Sequence, residues 1–218
     1  NMKKLIFLLA VVLGLAACGN SGISLPTVNG GQYEILIVMN DSDWKAPAGR
    51  ELVALFNQDM EALPQGEPLM TIIQCNRAEF SDFLKPSRNI LIADIDTKYT
   101  QPKIVYSKNI WAQPQCFVKI QAGDLQSMES TIKTHGKKIL NYFLDSERER
   151  YIQFNKQYIN EKITAEVEKQ FGILIDIPSE LNKATKSKDF YWVTNDNPAG
   201  RKDIVIYSYP YTDKKMFT

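Results

Sequence analysis

Histidine is almost absent from this 218-residue chain: there is one, His135. A single imidazole leaves no route to a metal site built on several histidines, and a catalytic triad would have to rest on this one residue. Cysteine is also scarce. Three residues are too few for a disulfide scaffold and form no paired zinc motif. Neither sign of charge dominates, since 26 Lys and Arg stand against 25 Asp and Glu. Nucleic-acid binding by bulk charge is therefore excluded, because neutralising phosphates needs a basic excess or patch. No apolar run approaches the ~20 residues that a spanning helix requires. The chain has no G-x-S-x-G elbow, no phosphate-cradling glycine loop and no internal repeat. What remains is a globular composition, 44% hydrophobic and 23% charged, large enough for one or two ordinary cores.

The N-terminus carries the most specific signal. After Met2, Lys3 and Lys4 form a positive start, and Leu5 to Ala17 is an apolar or small-residue stretch ending in Leu15-Ala16-Ala17-Cys18. That stretch is too short to span a bilayer and reads as a signal segment over residues 1–17. The ending resembles the bacterial lipobox, which implies acylation of the Cys18 thiol, with palmitate among the usual chains, and cleavage before it. More than one acyl chain, at ~0.8 kcal/mol per buried CH₂, gives stable anchoring. Residues 18–32 contain no charge and several Gly, Ser and Pro residues, so a flexible tether is expected there. Gly19 after the Cys favours the outer membrane over the inner one. The expected location is the cell envelope, lipid-anchored to the outer membrane and facing the periplasm.

The body reads as strands and helices in mixed order. Apolar strands are expected at Tyr33–Met39, Leu69–Gln74, Arg88–Ile95, Lys103–Ser107 and Gln115–Gln121, with a helix over Trp44–Gln58 and a short one over Arg77–Leu84. From Asp124 to about Tyr158 runs the longest helical tract, with Leu125, Met128, Ile132, His135, Ile139 and Phe143 on one face. On that stripe His135 reads as a core or boundary residue bonded to backbone. A further helix starts near Glu161 and ends at Gly172, followed by strands at Ile173–Ile177, Phe190–Val193 and Asp203–Tyr209. Because the two element types do not strictly alternate, the expected class is α+β: a mixed, mostly antiparallel sheet packed by one long and several shorter helices. The domains are expected at 33–160 and from 161 to 218.

Several strings resemble one family: Trp44-Lys45-Ala46-Pro47-Ala48-Gly49, the stretch from Arg88 to Asp96, Trp111-Ala112-Gln113-Pro114-Gln115, Glu147-Arg148-Glu149-Arg150, Phe171-Gly172-Ile173, and Tyr207 through Asp213. Together they resemble the domain-of-unknown-function envelope lipoproteins of gut and marine Gram-negative bacteria. The resemblance implies location and fold and carries over no catalytic residue. It also implies a second subdomain that continues past Thr218.

Two kinds of function stay open. The favoured one is a non-enzymatic binding or assembly module with no cofactor, whose partner is an envelope protein, a peptide or a glycan. The aromatics Tyr207, Tyr209 and Tyr211, alternating toward the C-terminus, are its candidate contacts, although such a ladder also serves ordinary cross-strand packing. The alternative is a small hydrolase or phosphoryl-transfer enzyme. It would gather Asp41, Asp43, Asp94 and Asp96 around a divalent ion if their strands were parallel neighbours. Capping and turn roles are the commoner use of such residues. The run from Glu147 to Arg150 reads as a solvated helix face, Trp44 and Trp111 as packing anchors, and Cys75 and Cys116 as two buried free thiols rather than a bridge. Replacing Cys18 by Ala should leave an unprocessed or released protein. Mass spectrometry of the N-terminal peptide and membrane fractionation check this, and unchanged retention without lipid mass refutes it.

Overall fold

The computed structural model describes residues 24–217; Cys18, the signal segment and residues 18–23 of the expected tether lie outside the described residues. The chain divides into two compact units, at Asp145 and Ser146, inside its longest helix. Among the described residues no helix is long and apolar enough to cross a membrane.

In the first unit β1 (Glu34–Val38), β2 (Thr71–Cys75), β3 (Asn89–Ile95), β4 (Lys103–Lys108) and β5 (Cys116–Ala122) form one sheet in the order β2-β1-β3-β5-β4. The pairs β1–β2, β1–β3 and β3–β5 are parallel, and β4–β5 is antiparallel. The class is α+β, but in this sheet the expected antiparallel majority does not hold. Parallel strands buried on both faces read as unbroken apolar runs, which is how β1 and β3 read. The antiparallel expectation came from missing alternation, and the reason is local. The connection from β2 to β3, residues 76–88, carries no helix.

That connection was expected to hold a helix over Arg77–Leu84. It is instead a succession of turns, in the first of which the Asn76 and Glu79 side chains bond each other's backbone N–H, at 3.0 and 3.3 Å, and Pro86 ends the segment. The expected Trp44–Gln58 helix is two: α1 (Asp41–Lys45) and α2 (Pro47–Phe56). Ala46 is extended, as a residue before proline prefers, and Pro47 begins the new helix. At Gly49 a Cβ would lie 2.0 Å from the Trp44 carbonyl oxygen, so only glycine permits this corner.

The long helix α3 (Leu125–Asn155) and α2 cover one face of the sheet. Leu52 and Phe56 of α2 and Met128, Ile132, Ile139 and Phe143 of α3 pack on Ile35, Ile37, Leu91, Val118 and Ile120. The opposite face carries Leu36, Val38, Ile90 and Phe117, covered by Phe80, Leu84 and Trp111 from irregular segments. Trp111 sits edge-on to both Phe80 and Phe117. Residues 26–29, placed in the tether by sequence, are bonded to this layer. Val28 N–H donates to the Gln113 carbonyl at 3.2 Å, Asn29 N–H to that of Pro86 at 2.9 Å, and Arg88 N–H to that of Asn29 at 3.0 Å. The ordered body thus begins ahead of Tyr33.

The second unit contains α4 (Glu161–Phe171) and an antiparallel sheet of β6 (Lys183–Ser187), β7 (Phe190–Thr194) and β8 (Asp203–Tyr207). Asn160 caps α4 by accepting from Ile163 N–H, and Gly172 closes it in the left-handed conformation at φ 68°. Residues 173–177 are irregular rather than a strand, since Ile177 bonds the start of α4 through Asn160 and Thr164. β6, exposed at all five positions, has no apolar alternation to announce it.

Cys75 and Cys116 are free and buried. They lie on β2 and β5, with two strands between, a lateral gap of ~14 Å against the ~7 Å limit for bridging. They also belong to the cores on opposite faces of the sheet. Burial, helped by the charge of Glu79, pushes the Cys75 thiol up and keeps it unreactive. Alkylation of the body without Cys18 should therefore add nothing under native conditions and two labels after denaturation. A two-hydrogen mass change on reduction would reveal a bridge and contradict this arrangement.

Candidate functional site

β1 and β3 are adjacent and parallel, with Val38 opposite Ile92, so the acids after β1 and at the end of β3 share one sheet edge. They do not converge. Asp94, almost fully buried, forms ion pairs with Arg77 and with Lys119 at 2.8 Å and accepts from the Tyr99 hydroxyl at 2.6 Å. Burial alone would raise its pKa, but hydrogen bonds from Lys119, Tyr99 and Arg77 hold the carboxyl well below the usual carboxylate range. Asp96 pairs with Lys98 in the following turn at 2.6 Å. Asp41 and Asp43 lie in the first turn of α1, where acids suit the helix dipole; Asp41 accepts from Gln74 at 3.2 Å and Asp43 from Ser42 at 3.2 Å. Among the described residues no group of three or more His, Cys, Asp or Glu side chains could hold a metal ion.

An open concavity of the first unit lies elsewhere. β4 ends the sheet, and α3 runs beside it, leaving a groove. One part, about 430 Å³, lies between Ile104 and Tyr106 of β4 and Thr131, Thr134, His135 and Lys138 of α3. The adjoining part, about 580 Å³, shares Tyr106 and Lys138 and extends to Lys137, Asn141, Tyr142 and Asp145. Its floor is built by aromatic packing. Tyr106 and Tyr142 meet edge-to-face at 4.9 Å, and Lys138 Nζ sits 5.6 Å from the Tyr106 ring centre. The Tyr142 hydroxyl donates to the Ser107 carbonyl at 3.0 Å, tying helix to strand. Desolvation pushes the Tyr142 hydroxyl up to about 12, so it stays protonated and a donor across the working range of pH.

This groove and the Asp94 cluster both fall within residues 28–156, which match the family model described as Domain of unknown function (DUF8532). That is more than half of the chain. The chain belongs to the DUF8532 family. A second model, Domain of unknown function (DUF4837), matches residues 160–218 and so covers α4 and the second sheet. No curated protein and no solved structure matches the chain.

Three further sequence expectations meet the geometry of this DUF8532 chain. His135 is exposed on the groove wall rather than held in the core; the buried stripe of α3 passes through Thr131 and Gly136 instead. Gly136 lets α2 approach closely there, since a Cβ would lie 3.1 Å from the Leu55 side chain, which would have to shift by a few tenths of an ångström. The charge run after Asp145 is a solvated face only in part: Arg148 and Glu149 are exposed. Glu147 is buried and paired with Arg150 at 2.5 Å, one turn on along the same face. Of the three tyrosines, Tyr207 ends β8, whereas Tyr209 and Tyr211 lie beyond it. All three are exposed, and the rings of Tyr207 and Tyr209 stack at 5.8 Å. The groove itself was missed, although Ile104 and Tyr106 on an expected strand and His135 and Lys138 on an expected helix were its available signals.

Asp94 gives a clear test of the ionic cluster. Asp94→Ala should cost about 1–3 kcal/mol at pH 7, since it removes the charged hydrogen bonds that tie β3 to Lys119 and Arg77, while both cations, part exposed, recover some hydration. Because the folded pKa is depressed, this contribution is complete above the unfolded value near ~4 and is lost as pH falls below it. Urea denaturation of both proteins at pH 7 and pH 3 measures the gap. An equal gap at the two pH values contradicts the assignment.

Proposed function

We propose that this DUF8532 chain is a non-catalytic binding module of the bacterial cell envelope. Acyl chains on Cys18 would hold it at the periplasmic face of the outer membrane, and the groove between β4 and α3 would receive its partner. The lipobox-like sequence ahead of Cys18 supports the first part. The second part rests on one observation: a concavity of the first unit lies along a sheet edge, lined by aromatic and lysine side chains. Small-ligand pockets favour enclosed apolar cavities with a few convergent polar groups, whereas an edge-strand groove suits an extended chain. The acids that a phosphoryl-transfer or hydrolytic reading needs are already used, Asp94 by two cations and a tyrosine and Asp96 by Lys98. A protein or peptide partner fits this groove better than a glycan, which would be expected on an aromatic platform such as Tyr207 and Tyr209.

The test is ligand-blind. A random display library of linear peptides and constrained loops is panned against the immobilised body, and the enriched binders are measured against surface variants. Thr134→Trp, which fills the groove from the exposed side of α3, should weaken them by about tenfold or more, the loss of one to two good contacts. Tyr207→Ala in the second unit should leave them unchanged. Binders indifferent to Thr134→Trp and lost with Tyr207→Ala would move the site to the tyrosines and overturn the groove reading.

A further inference from the structure

We infer that the groove takes an acidic peptide segment in extended conformation, added to the sheet as a sixth strand beside β4. This rests on the groove reading above and goes beyond it in naming the chemistry of the occupant and its mode of attachment.

The backbone comes first. Cys116 N–H donates to the Arg88 carbonyl on the β3 side, at 2.9 Å, and Asn109 N–H donates to the Gln115 carbonyl across the β4–β5 pair, at 3.0 Å. Antiparallel pairing alternates, so Lys103, Val105 and Ser107 of β4 face β5 with their main-chain groups, and those of Ile104 and Tyr106 face away from the sheet. Among the described residues no strand lies on that outer side. A strand placed there, ~4.8 Å from β4, would meet four main-chain groups already set at strand spacing. Its alternate side chains would rise on the face where Ile104 and Tyr106 pack, directly into the groove against α3.

Charge then selects the sequence. Lys137 and Lys138 line the groove, and neither has an ion-pair partner among the described residues; Lys138 is held over the Tyr106 ring. Elsewhere on α3 a lysine in a similar setting is paired: Lys133 meets Glu129 at 2.6 Å and Glu51 at 3.4 Å. Asp145 is the single acid on the lining. Lysines on an edge strand commonly serve to discourage aggregation, and Lys103 and Lys108 at the ends of β4 can do so. Lys137 and Lys138 lie on the helix side of the groove instead, where they complement a carboxylate-bearing side chain. The six residues of β4 span ~20 Å, which fixes the occupant at about six residues.

The probes are synthetic eight-residue peptides alternating Thr with Glu, and alternating Thr with Lys. Binding to the folded body is read by fluorescence anisotropy at low salt, and backbone NMR shifts locate it. The Glu peptide should bind about tenfold tighter than the Lys peptide, and the double variant Lys137→Glu, Lys138→Glu should invert that order. Both lysines are exposed, so these variants keep the fold, which circular dichroism confirms. Methylating the amide nitrogens of every Glu, or of every Thr, gives two isomers. Only one set of amides faces β4, so one isomer should lose about tenfold or more in affinity and the other should bind as before. Equal loss or no loss in both isomers removes strand addition. Shifts centred outside β4 and α3 remove the groove as well. Failure of both peptides, with display binders still sensitive to Thr134→Trp, leaves the groove and refutes the acidic strand. A dimer in sedimentation that Lys138→Glu dissolves, and the Glu peptide does not, would assign the edge to a second copy of the chain and overturn the inference.

Discussion

Parallel strands bury both faces of their sheet, and among the described residues helices cover only one of them. The helical side is closed by α2 and α3 over a continuous apolar core. On the other side Phe80, Leu84 and Trp111 come from segments without regular structure, whose backbone groups must be satisfied one at a time. The bonds that do this can be named. Buried Gln115 donates to the carbonyls of Lys85 and Ser87 at 2.6 and 2.7 Å, and buried Asn89 donates to the Glu34 carbonyl at 2.7 Å. At the carboxyl end of the sheet the same task falls to Asp94. It joins β3 to β5 through Lys119, to the connection after β2 through Arg77, and to the following turn through Tyr99. A buried carboxylate is tolerated only because each oxygen meets a cation.

That division of labour leaves the acid at the sheet's carboxyl end paired within the fold. In open parallel sheets the crevice outside the strand ends, where the strand order reverses, is the usual place for a ligand. In this sheet the reversal falls between β1 and β3, close to Asp41 and Asp94. Arg77 and Lys119 occupy the position in which a ligand's own charge would be met. The free geometry lies at the opposite side, where β4 turns antiparallel and ends the sheet. The helix α3 is about 46 Å long by its 31 residues, more than twice the span of β4, so it continues past the strand it flanks. A long helix beside a short edge strand leaves a trough, and Tyr106 with Tyr142 gives the trough a firm floor.

Local pattern was enough for most of the elements. The apolar runs of β1 and β3, the stripe of α3 and the stop at Gly172 each depend on neighbours a few residues away, and each lies where periodicity and capping put it. The misses share a different cause. Arg77 to Leu84 has a helical spacing of Phe80, Phe83 and Leu84, yet Phe83 is exposed, so the three do not share a buried face and the segment runs as turns. β6 has no apolar residue larger than alanine and exists because β7 pairs with it. His135 falls at the right spacing for the core, but the helix turns Thr131 and Gly136 inward, with Gly136 set against Leu55 of α2.

The groove illustrates the limit most sharply, because an edge is a property of strand order and no residue of β4 encodes it alone. Lys103-Ile104-Val105-Tyr106-Ser107-Lys108 would read the same in the middle of a sheet. Its place at the end follows from β5 pairing with β3 in parallel, in seven-residue register, which forces the preceding strand outward and antiparallel. That pairing is favoured by burial, since β5 presents Cys116, Val118 and Ile120 to the helical core and Phe117 to the other side, and an edge position would expose one of these sets. β4, only half buried and bounded by lysines, bears the edge at smaller cost. The hydrophobicity of β5 thus determines where the unpaired main chain of β4 lies, and so where a partner strand could be added.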